Sequence, residues 1–574
     1  MNGCRMFGVE TEYAVTAFDR AGAPLSREEC VVQLLRRARN TIPHQLGSGA
    51  SDLYLQNGSR LYIDAGHHPE LSSPECLNPW DVVRYVRAGD VILERLADGV
   101  KSEDDRIDHV LVFKGNVDYS GSGTTWGSHE SYLHRSDPDL LRRRLIPHLV
   151  SRVIYTGAGG FNPLSSGLEF MLSPRAAHLA QVVSHQSTWA RGIIHTRDES
   201  LSASGYRRQH LICGESQHSD LATWLRVGVT AVIVAMIDAG IPCGDEVAIE
   251  SPLEALNLFA RDVCCDATVA MAGGSSRTAV QIQRQYLAHA HKHQAAPFMP
   301  VWTERVCTEW AAMLARIEET PQRLTRTLDW AIKLAVYQDR ARRRGIEWKT
   351  LPSWTHIVES LERKRQTLDQ PGQRLSAEIV LAEDSPLRDT IREVTPYLEA
   401  KQIQWSGLDP FLKLRQELFE VDTRFGRVGP GGLFSVLDRS GRLDHRVTGV
   451  DRIAEAIDEP PAEGRAHVRG EVIRRAVHDG TELGCAWSSV VNRSMRLRLD
   501  LSDPFTMREE WEAVKPPPPR TAPVVPASAN PGPPSPSPPS PTPPAAPQDA
   551  VRADDEFSIW GDLVELCSRI RRPR

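Results

Sequence analysis

The distribution of proline divides this chain into two parts of different physical character. Sixteen of its 40 prolines lie in the 32 residues 516–547. Proline fixes φ and has no backbone N–H, so a tract this dense cannot form a helix or a central strand and favours extended polyproline II geometry. The tract also has almost nothing apolar to bury. We therefore predict a Pro-rich disordered linker over residues 515–548 and look for the folded body in the first 514 residues.

The body has the composition and length of a globular protein, which excludes fibrous, collagen-like and wholly disordered classes. The whole chain carries 68 basic and 74 acidic residues, a net charge of −6, and the two signs are interspersed. This balance argues against a nucleic-acid partner. The 10 cysteines are scattered without a C-x-x-C pair, so neither a disulfide scaffold nor a zinc ribbon is expected.

Two segments bear on membranes and location. Glu10 and Glu12 interrupt the amino-terminal segment where a signal peptide has its apolar core, so we expect a cytoplasmic protein. The segment Ala222–Gly240 reaches the length of a membrane span but contains Arg226 and Asp238. We predict that it is a buried helix of a soluble protein and that the chain has no membrane partner.

Beyond the proline tract the composition changes again, from proline-rich to a pattern typical of a helix. In residues 549–574 the apolar positions recur at helical spacing: Trp560, Leu563, Val564, Cys567 and Ile570. Acidic residues precede them and arginines follow them, and both groups suit the dipole of a helix. We predict a short amphipathic C-terminal helix. Two interpretations of it stay open: a frayed tail, or a tethered helix that docks on a protein partner.

Hydrophobic patterns in the body predict an α+β fold. Residues 5–16 alternate with period two, which places Glu10 and Glu12 on one face of a strand. Residues 60–64 form a second alternating strand, and a helical pattern with Ser26 as its N-cap lies between the two. Because strands and helices alternate irregularly along the chain, we expect a largely antiparallel sheet.

Glu10 and Glu12 are the first candidates for chemistry. Two carboxylates two residues apart on a strand point the same way, as a hard divalent cation requires of its oxygen ligands. A solvated strand face without function is the alternative interpretation for this pair alone.

The second candidate is a turn, strand and loop of high polar density at residues 57–76. Arg60, Tyr62 and Asp64 share one strand face, and Glu70 follows a His-Pro pair that forces the chain out of helix. An arginine, a phenol and two carboxylates on one surface suit a phosphate–magnesium site with a general base. A structural cluster of salt bridges is the alternative.

Two further segments are rich in glycine or in basic residues. The loop at 114–132 lacks G-x-x-x-x-G-K-[ST], which excludes a Walker-type P-loop. Arg197, Arg207, Arg208 and His210 can neutralise the oxygens of a phosphoryl group during transfer. Ordinary surface charge is the alternative explanation for each of them singly.

Taken in order, these segments resemble the Pup ligase and Pup deamidase/depupylase family, the proteasome accessory factor A type of carboxylate-amine ligase related to glutamine synthetase. The signatures are G-V-E-T-E-Y at 8–13, N-G-S-R-L-Y-I-D at 57–64 followed by H-P-E, W-G-S-H-E-S-Y-L at 126–133, T-R-D-E at 196–199, Y-R-R-x-H at 206–210 and A-W-S at 486–488. The resemblance covers most of residues 1–340 and resumes from about 419 to 490.

The resemblance implies an architecture. The fold would be a glutamine synthetase-like antiparallel sheet packed with helices, forming a catalytic domain at 1–440. A helical insertion at about 350–410 would interrupt this domain, and a small C-terminal domain would follow at 441–514.

The resemblance also implies roles, position by position. Asp64 would be the catalytic carboxylate. The expected Mg²⁺ ligands are Glu10, Tyr62 and Glu70, completed by Glu12, His129 and His210. The expected contacts to ATP are Arg60 and Ser73 at the phosphates, Trp487 closing on the nucleotide, and Arg197 and Arg208 nearby. Glu130 is expected to complete the site.

Such a site would transfer the γ-phosphoryl group of ATP to a carboxylate, because an acyl phosphate is a far better acyl donor than the carboxylate itself. In a ligase, Asp64 would then deprotonate a lysine ammonium so that the amine can attack. The implied cofactors are ATP and Mg²⁺. The implied partners are a Pup-like protein and the lysines of proteins, joined by an isopeptide bond.

Several alternatives to a Pup ligase stay open. Depupylases carry an extra loop after the first strand, whereas only 49 residues separate Glu10 from Arg60 here, which favours a ligase. Positions on the substrate side depart from the family: Ser200 and Leu201 follow T-R-D-E, and Ser131 stands where an asparagine is usual. The chain is therefore identified as a divergent member. The alternatives are a depupylase or deamidase, a phosphotransferase acting on a non-Pup acceptor, and a nucleotide-binding scaffold.

Overall fold

The protein is described by a computed structural model that covers residues 3–514 except 50, 65, 187–188, 198–200, 204 and 369–374. The predicted linker at 515–548 and the predicted helix at 549–574 lie outside the described residues. So do Asp198 and Glu199 of the T-R-D-E signature.

The described residues form 19 strands and 15 α-helices. The strands are β1 (Phe7–Glu12), β2 (Ala14–Asp19), β3 (His44–Leu46), β4 (Leu53–Leu55), β5 (Arg60–Ile63), β6 (Pro69–Ser72), β7 (Ile107–Phe113), β8 (Ser128–His134), β9 (Gly160–Phe161), β10 (Phe170–Met171), β11 (Gln181–Ser184), β12 (Gly192–His195), β13 (Arg207–Leu211), β14 (Thr268–Ala270), β15 (Ser276–Thr278), β16 (Gly484–Ala486), β17 (Ser489–Asn492), β18 (Leu497–Asp500) and β19 (Trp511–Ala513). The helices are α1 (Arg27–Thr41), α2 (Pro79–Glu103), α3 (Pro138–Ser151), α4 (Val153–Thr156), α5 (Asp220–Asp238), α6 (Pro252–Arg261), α7 (Ala279–His293), α8 (Thr303–Glu319), α9 (Asp329–Arg343), α10 (Leu351–Gln366), α11 (Ala377–Leu381), α12 (Arg388–Ala400), α13 (Leu408–Gly426), α14 (Leu433–Arg439) and α15 (Arg465–His478).

One 13-stranded sheet forms the framework, in the order β11-β12-β13-β8-β1-β6-β5-β4-β3-β16-β17-β18-β19. Only the β11–β12 and β16–β3 pairs are parallel, and all the other neighbours in this sheet are antiparallel. The predicted α+β fold with a largely antiparallel sheet is thus confirmed.

The first predicted strand is interrupted. Residues 5–16 do not form one strand, because the chain leaves the large sheet at Tyr13 and pairs as β2 with β7 in a separate two-stranded sheet. The Tyr13 hydroxyl donates to Asp90 Oδ1 at 2.9 Å and its ring is buried, which holds the chain at this change of sheet. The shared face of Glu10 and Glu12 lies before the break and is preserved.

The apolar back of the sheet packs on helices. Phe7 and Val9 of β1 lie in the main core together with most of α5. Within the described residues α5 is the one helix long and apolar enough to cross a membrane, and 94% of it is buried inside the protein. Its Arg226 donates to Glu215 O at 2.6 Å and to Ser128 Oγ at 2.9 Å. These internal partners explain how a charged residue is accommodated in a buried helix, as predicted.

The helices within residues 351–426 pack in a second core, where Trp354, Leu361 and Phe411 meet Phe161 and Tyr337 from earlier in the chain. Beyond them, the strands of residues 484–513 extend the large sheet through the β3–β16 pair. The division into domains at 440 and 514, with an insertion at about 350–410, stays a prediction.

Candidate active site

The candidate active site is one face of the large sheet, where β13, β8, β1, β6 and β5 lie side by side. Residues paired across neighbouring strands point to the same side. The pairs that define this face are Tyr62 with Glu70, Arg60 with Ser72, Glu12 with Glu70, Glu10 with both Ser72 and His129, and Ser131 with His210. The sheet therefore collects on one surface residues that are far apart in sequence.

Three glutamates stand in the middle of this face. Glu12 and Glu70 are buried, and Glu10 is half-buried. Burial, reinforced by the negative charges of Glu10 and Glu12, raises the pKa of Glu70 well above its usual value. Burial also opposes ionisation of Glu12, but the nearby ring of His68 and the charge of His129 lower the pKa of Glu12 to about 2. The face thus crowds carboxylates together in the way that a bound cation would relieve.

Two histidines face Glu10 from neighbouring strands. His129 Nδ1 lies 3.4 Å from Glu10 Oε2, and His129 Nε2 lies 3.5 Å from Glu12 Oε1. Burial lowers the pKa of His210 to about 3; the charges of His129 and Arg208 act in the same direction, and Glu10 opposes them. The His210 ring is therefore neutral near pH 7. Burial opposes ionisation of Glu10, but the charge of His210, a hydrogen bond with His129 and the charges of His129 and Arg208 lower the pKa of Glu10. The ligand atoms of Glu10, His129 and His210 lie within 4.8 Å of one another.

A second cluster comprises Glu12, Asp64 and His68, whose ligand atoms also lie within 4.8 Å of one another. Asp64 directly follows β5, and its Oδ1 accepts the backbone N–H of His68 at 2.7 Å. Glu12 Oε2 accepts the N–H of Gly127 at 2.8 Å. The predicted catalytic carboxylate therefore stands beside the glutamates and is held by a backbone donor.

Tyr62 and Arg60 occupy the β5 side of the face. The Tyr62 hydroxyl donates to Glu70 Oε1 at 2.5 Å, and burial raises its pKa well above the usual value, so the phenol is neutral. The Arg60 guanidinium carbon lies 4.2 Å from the centre of the Tyr62 ring, and Arg60 Nε donates to Asp52. Asp52 thus fixes the direction of the arginine.

Trp487 lies in the turn between β16 and β17, beyond Arg60. Its ring centre is 5.5 Å from that of Tyr54, and the Tyr54 ring centre is 5.7 Å from the Arg60 guanidinium. Arg469 lies 4.8 Å from the Trp487 ring centre and donates to its carbonyl oxygen at 3.1 Å. Trp487 is therefore one aromatic ring away from Arg60, on the same side of the site.

The prediction for Glu130 is wrong. Adjacent residues of a strand point to opposite faces, so Glu130 cannot share the face of His129 and Ser131. Its side chain is fully buried behind the sheet, where Arg152 Nη2 and Nη1 donate to it at 2.5 and 3.0 Å. Glu130 supports the sheet from its apolar side.

The three remaining predicted contacts to ATP lie at different places relative to the shared face: Ser73, Arg208 and Arg197. The Ser73 hydroxyl accepts the N–H of Val9 at 3.1 Å and donates to Pro74 O at 2.9 Å, so its hydrogen bonds are made within the chain. Ser72, rather than Ser73, lies on the shared face, and the predicted phosphate contact of Ser73 has no support in this geometry. Arg208 lies on β13 two residues before His210, hence on the same face. Arg197 is exposed, and its positive charge acts on His195.

The donor set on this face fits Mg²⁺, a cofactor the resemblance implies. Mg²⁺ takes hard oxygen ligands, and Glu10, Glu12, Glu70 and Tyr62 supply carboxylate and phenol oxygens from three adjacent strands. Burial and the charges of Glu10 and Glu12 raise the pKa of Glu70, and a bound cation would favour its ionised form. The assignment of individual ligands stays a prediction.

Two residues of the site, His68 and Asp52, were not among the predicted ones. His68 was within reach, because it belongs to the H-P-E signature and follows Asp64 by four residues. Asp52 lies directly before β4, and only the β4–β5 pairing brings it to Arg60. No local pattern carries that information.

Comparison with known proteins agrees with this geometry. The family model described as "Pup-ligase protein" matches residues 5–358 and 396–491. The Pup–protein ligase of Acidimicrobium ferrooxidans is 30% identical over 514 residues, covering 88% of this chain and 97% of the relative. The Pup–protein ligase of Rhodococcus opacus is 31% identical over 515 residues, with the same two coverages.

Two solved structures are similar as well. The complex between the prokaryotic ubiquitin-like protein Pup and its ligase PafA matches with a TM-score of 0.66 and 27% identity, over 88% of this chain and 90% of that chain. The Pup ligase PafA in complex with ADP matches with a TM-score of 0.61 and 27% identity, over 80% and 88%. With the family model covering most of the folded body and relatives at 30% identity or more over almost their full length, this chain belongs to the Pup-ligase family.

Proposed function

We propose that this protein is an ATP-dependent ligase that joins the carboxylate of a Pup-like protein to the amine of a protein lysine. The observation that carries the proposal is the cluster of Glu10, Glu12 and Glu70 on one sheet face with Asp64 at its edge. The family relationship and the ADP-bound relative support the use of ATP. Because ATP is abundant in the cytoplasm, we place the enzyme there.

The proposed ligands of Mg²⁺ are Glu10, Glu12, Glu70, Tyr62, His129 and His210. When bound, Mg²⁺ would neutralise charge on the phosphate oxygens of ATP. The chain's own contribution is to hold the oxygen donors in place: Tyr62 donates to Glu70, and the N–H of Gly127 donates to Glu12.

Arg60 and Arg208 face the same surface and would attract the phosphates of ATP. Arg197, which follows β12 and acts on His195, would add positive charge at the β12 side. A guanidinium suits this task because it binds phosphate oxygens in a fork geometry. Asp52 orients Arg60, and the neighbouring rings of Tyr54 and Trp487 offer an apolar surface for the nucleotide. Binding would therefore place the terminal phosphate towards the glutamates.

The reaction proceeds in two steps. A carboxylate oxygen of the Pup-like protein attacks the γ-phosphorus of ATP, so an acyl phosphate forms and ADP leaves. A lysine amine then attacks the acyl carbon, an amide bond forms and phosphate leaves. Asp64 accepts the proton that the lysine ammonium must lose, and its position beside Glu12 supports this role.

The test is turnover with purified protein, ATP, Mg²⁺, a Pup protein ending in glutamate and a lysine-containing target. We expect ADP release and a conjugate whose mass equals the sum of the two proteins minus one water. Asp64→Asn should abolish the conjugate, while Glu318→Gln, in an exposed ion pair of α8, should leave it unchanged.

The outcomes separate the alternatives. Unchanged ADP release and conjugation in Asp64→Asn would refute the role of Asp64. ADP release with other carboxylates but not with Pup would indicate a different acceptor. Hydrolysis of an existing Pup conjugate without ligation would indicate a depupylase, and nucleotide binding without any turnover would indicate a scaffold.

A further inference from the structure

Arg27 lies outside the predicted site but reaches the loop that carries Asp64. It is the first residue of α1, after the Ser26 N-cap, and its side chain is half-buried. Arg27 Nη2 donates to the carbonyl oxygen of Gly66 at 2.7 Å and also contacts His68 Nε2. One guanidinium therefore clamps the loop between β5 and β6 at two points.

The contact with Arg27 determines the tautomer of His68. A guanidinium has donors and no acceptor, so His68 Nε2 must be the acceptor in this pair. A neutral imidazole that accepts at one nitrogen carries its proton on the other. On this hydrogen-bond network we assign the proton of His68 to Nδ1.

His68 Nδ1 points at the carboxylates of the active site. It lies 3.6 Å from Glu12 Oε2 and 3.9 Å from Asp64 Oδ1. The side chain is 8% exposed, and Nδ1 is buried without a hydrogen-bond partner. The Trp126 ring, 5.4 Å away between centres, packs against the imidazole and restricts its rotation. A buried donor without a partner is costly, and hydrogen bonds of this kind commonly shorten when substrate binds.

The loop is built to hold this arrangement. The backbone N–H of His68 donates to Asp64 Oδ1 at 2.7 Å, and that of His67 donates to Asp64 O at 3.1 Å. A Cβ on Gly66 would lie 3.1 Å from both Asp64 Oδ2 and the His68 ring, tighter than ordinary contact. A side chain at this position would therefore crowd both the carboxylate and the ring.

We propose that Arg27 and His68 are positioning residues: Arg27 keeps the proton of His68 on Nδ1, and this donor holds the carboxylate of Asp64 in its working orientation. With Nδ1 protonated, His68 is not a metal ligand, although it lies among carboxylates. The inference rests on the proposed function only in that Asp64 is the catalytic carboxylate.

The first test is kinetic and uses the full-length protein. His68→Ala should lower kcat about 10–100-fold with KM for ATP within about twofold, because misplacing a catalytic group by a fraction of an ångström costs rate rather than binding. His68→Asn, which keeps an amide donor near Nδ1, should restore most of kcat, and His68→Gln, whose amide lies near Nε2, should not. The Mg²⁺ concentration for half-maximal activity should be the same in His68→Ala and in the wild type.

Arg27 should act through His68 and not independently. Arg27→Ala should lower kcat, Arg27→Lys should restore part of it, and Arg27→Ala should have no further effect in the His68→Ala background. Multiplicative losses in the double variant, or a rise of about tenfold in the Mg²⁺ requirement of His68→Ala, would overturn the proposal. Thermal unfolding within a few degrees of the wild type confirms that each variant is folded.

The second test does not depend on turnover. ¹⁵N NMR of histidine-labelled protein, with the His68 signals identified by their loss in His68→Gln, reports which ring nitrogen is protonated. We expect the Nδ1–H tautomer in the wild type and its loss in Arg27→Ala. An Nε2–H tautomer in the wild type refutes the inference even if ligation is observed. Wild-type protein that shows the expected tautomer but no ligation refutes the proposed function instead.

Discussion

The buried ion pairs of Glu75 give the most quantitative prediction. Glu75 lies in the segment between β6 and α2, and α15 presents two arginines to it: Arg465 Nε at 2.6 Å from Oε1 and Arg469 Nη2 at 2.5 Å from Oε2. The side chains are 12%, 5% and 0% exposed in that order, so solvent screens these pairs weakly. Glu75 therefore ties the helix next to Trp487 to the strand that carries Glu70.

The magnitude follows from the pKa of Glu75. Burial opposes ionisation, yet Arg469 and Arg465 lower the pKa of Glu75 from 4.5 to about 2. That difference corresponds to about 3 kcal/mol of stability, and removing one partner of a buried pair typically costs about 3–5 kcal/mol. Because the pKa of Glu75 is lower in the folded state, this stability is present above pH 4.5 and is lost as the pH falls towards 2.

We therefore expect Glu75→Gln to lower the free energy of unfolding by about 3 kcal/mol at pH 7. Urea unfolding, followed by tryptophan fluorescence and by hydrogen exchange of the α15 amides, measures the loss. The difference between wild type and variant should shrink to about half by pH 3. Glu318→Gln, which breaks an exposed pair with Arg284, is the control and should cost no more than about 0.5 kcal/mol. A loss below about 1 kcal/mol at pH 7, or a difference that does not change with pH, contradicts the reasoning.

Three further substitutions test other parts of the molecule. Glu70→Gln removes a crowded carboxylate whose pKa is raised in the folded state, so metal-free protein should melt at a higher temperature than the wild type. In the same variant the rate of ADP release should fall at least about 100-fold. A lower melting temperature of the variant in EDTA would contradict this. Glu130→Gln leaves Arg152 buried without its carboxylate partner, so urea unfolding should show a free energy of unfolding lower by about 3–5 kcal/mol. The Mg²⁺ requirement, measured by Mg²⁺ titration of ADP release, should not change. Asp422→Asn weakens a shared acceptor that Tyr119, Tyr337 and Lys333 each contact at 2.6 Å, so urea unfolding should show a loss of about 2–3 kcal/mol, and an unchanged midpoint would contradict this.

Much of the candidate site could be predicted from the local periodicity of the sequence. In a strand, side chains alternate with period two whatever the sheet around it, so the shared face of Glu10 and Glu12 could be predicted from residues 7–12 alone. The same rule could have placed Glu130 correctly, since it is adjacent to His129. Capping is equally local: the Ser26 hydroxyl accepts the N–H of Glu29 at 3.2 Å, as its position before a helical pattern predicts.

Pairing between distant segments could not be predicted in this way. That β1 lies between β6 and β8, and that β2 leaves the large sheet after Tyr13, depends on which strand edges find partners when the chain packs. The contact of Arg27 with His68 likewise joins residues 41 positions apart and has no signature in either segment.

By itself, the sequence determined the class of fold, the strand faces of the carboxylates, the buried nature of the long apolar helix and the family. These follow from local periodicity, composition and signatures that are properties of consecutive residues. Only the tertiary structure decided which acids crowd together, which arginine holds which carboxylate, and which ring nitrogen of His68 faces the site. Those features depend on distances across strands and on burial, and both quantities exist only once the chain is packed.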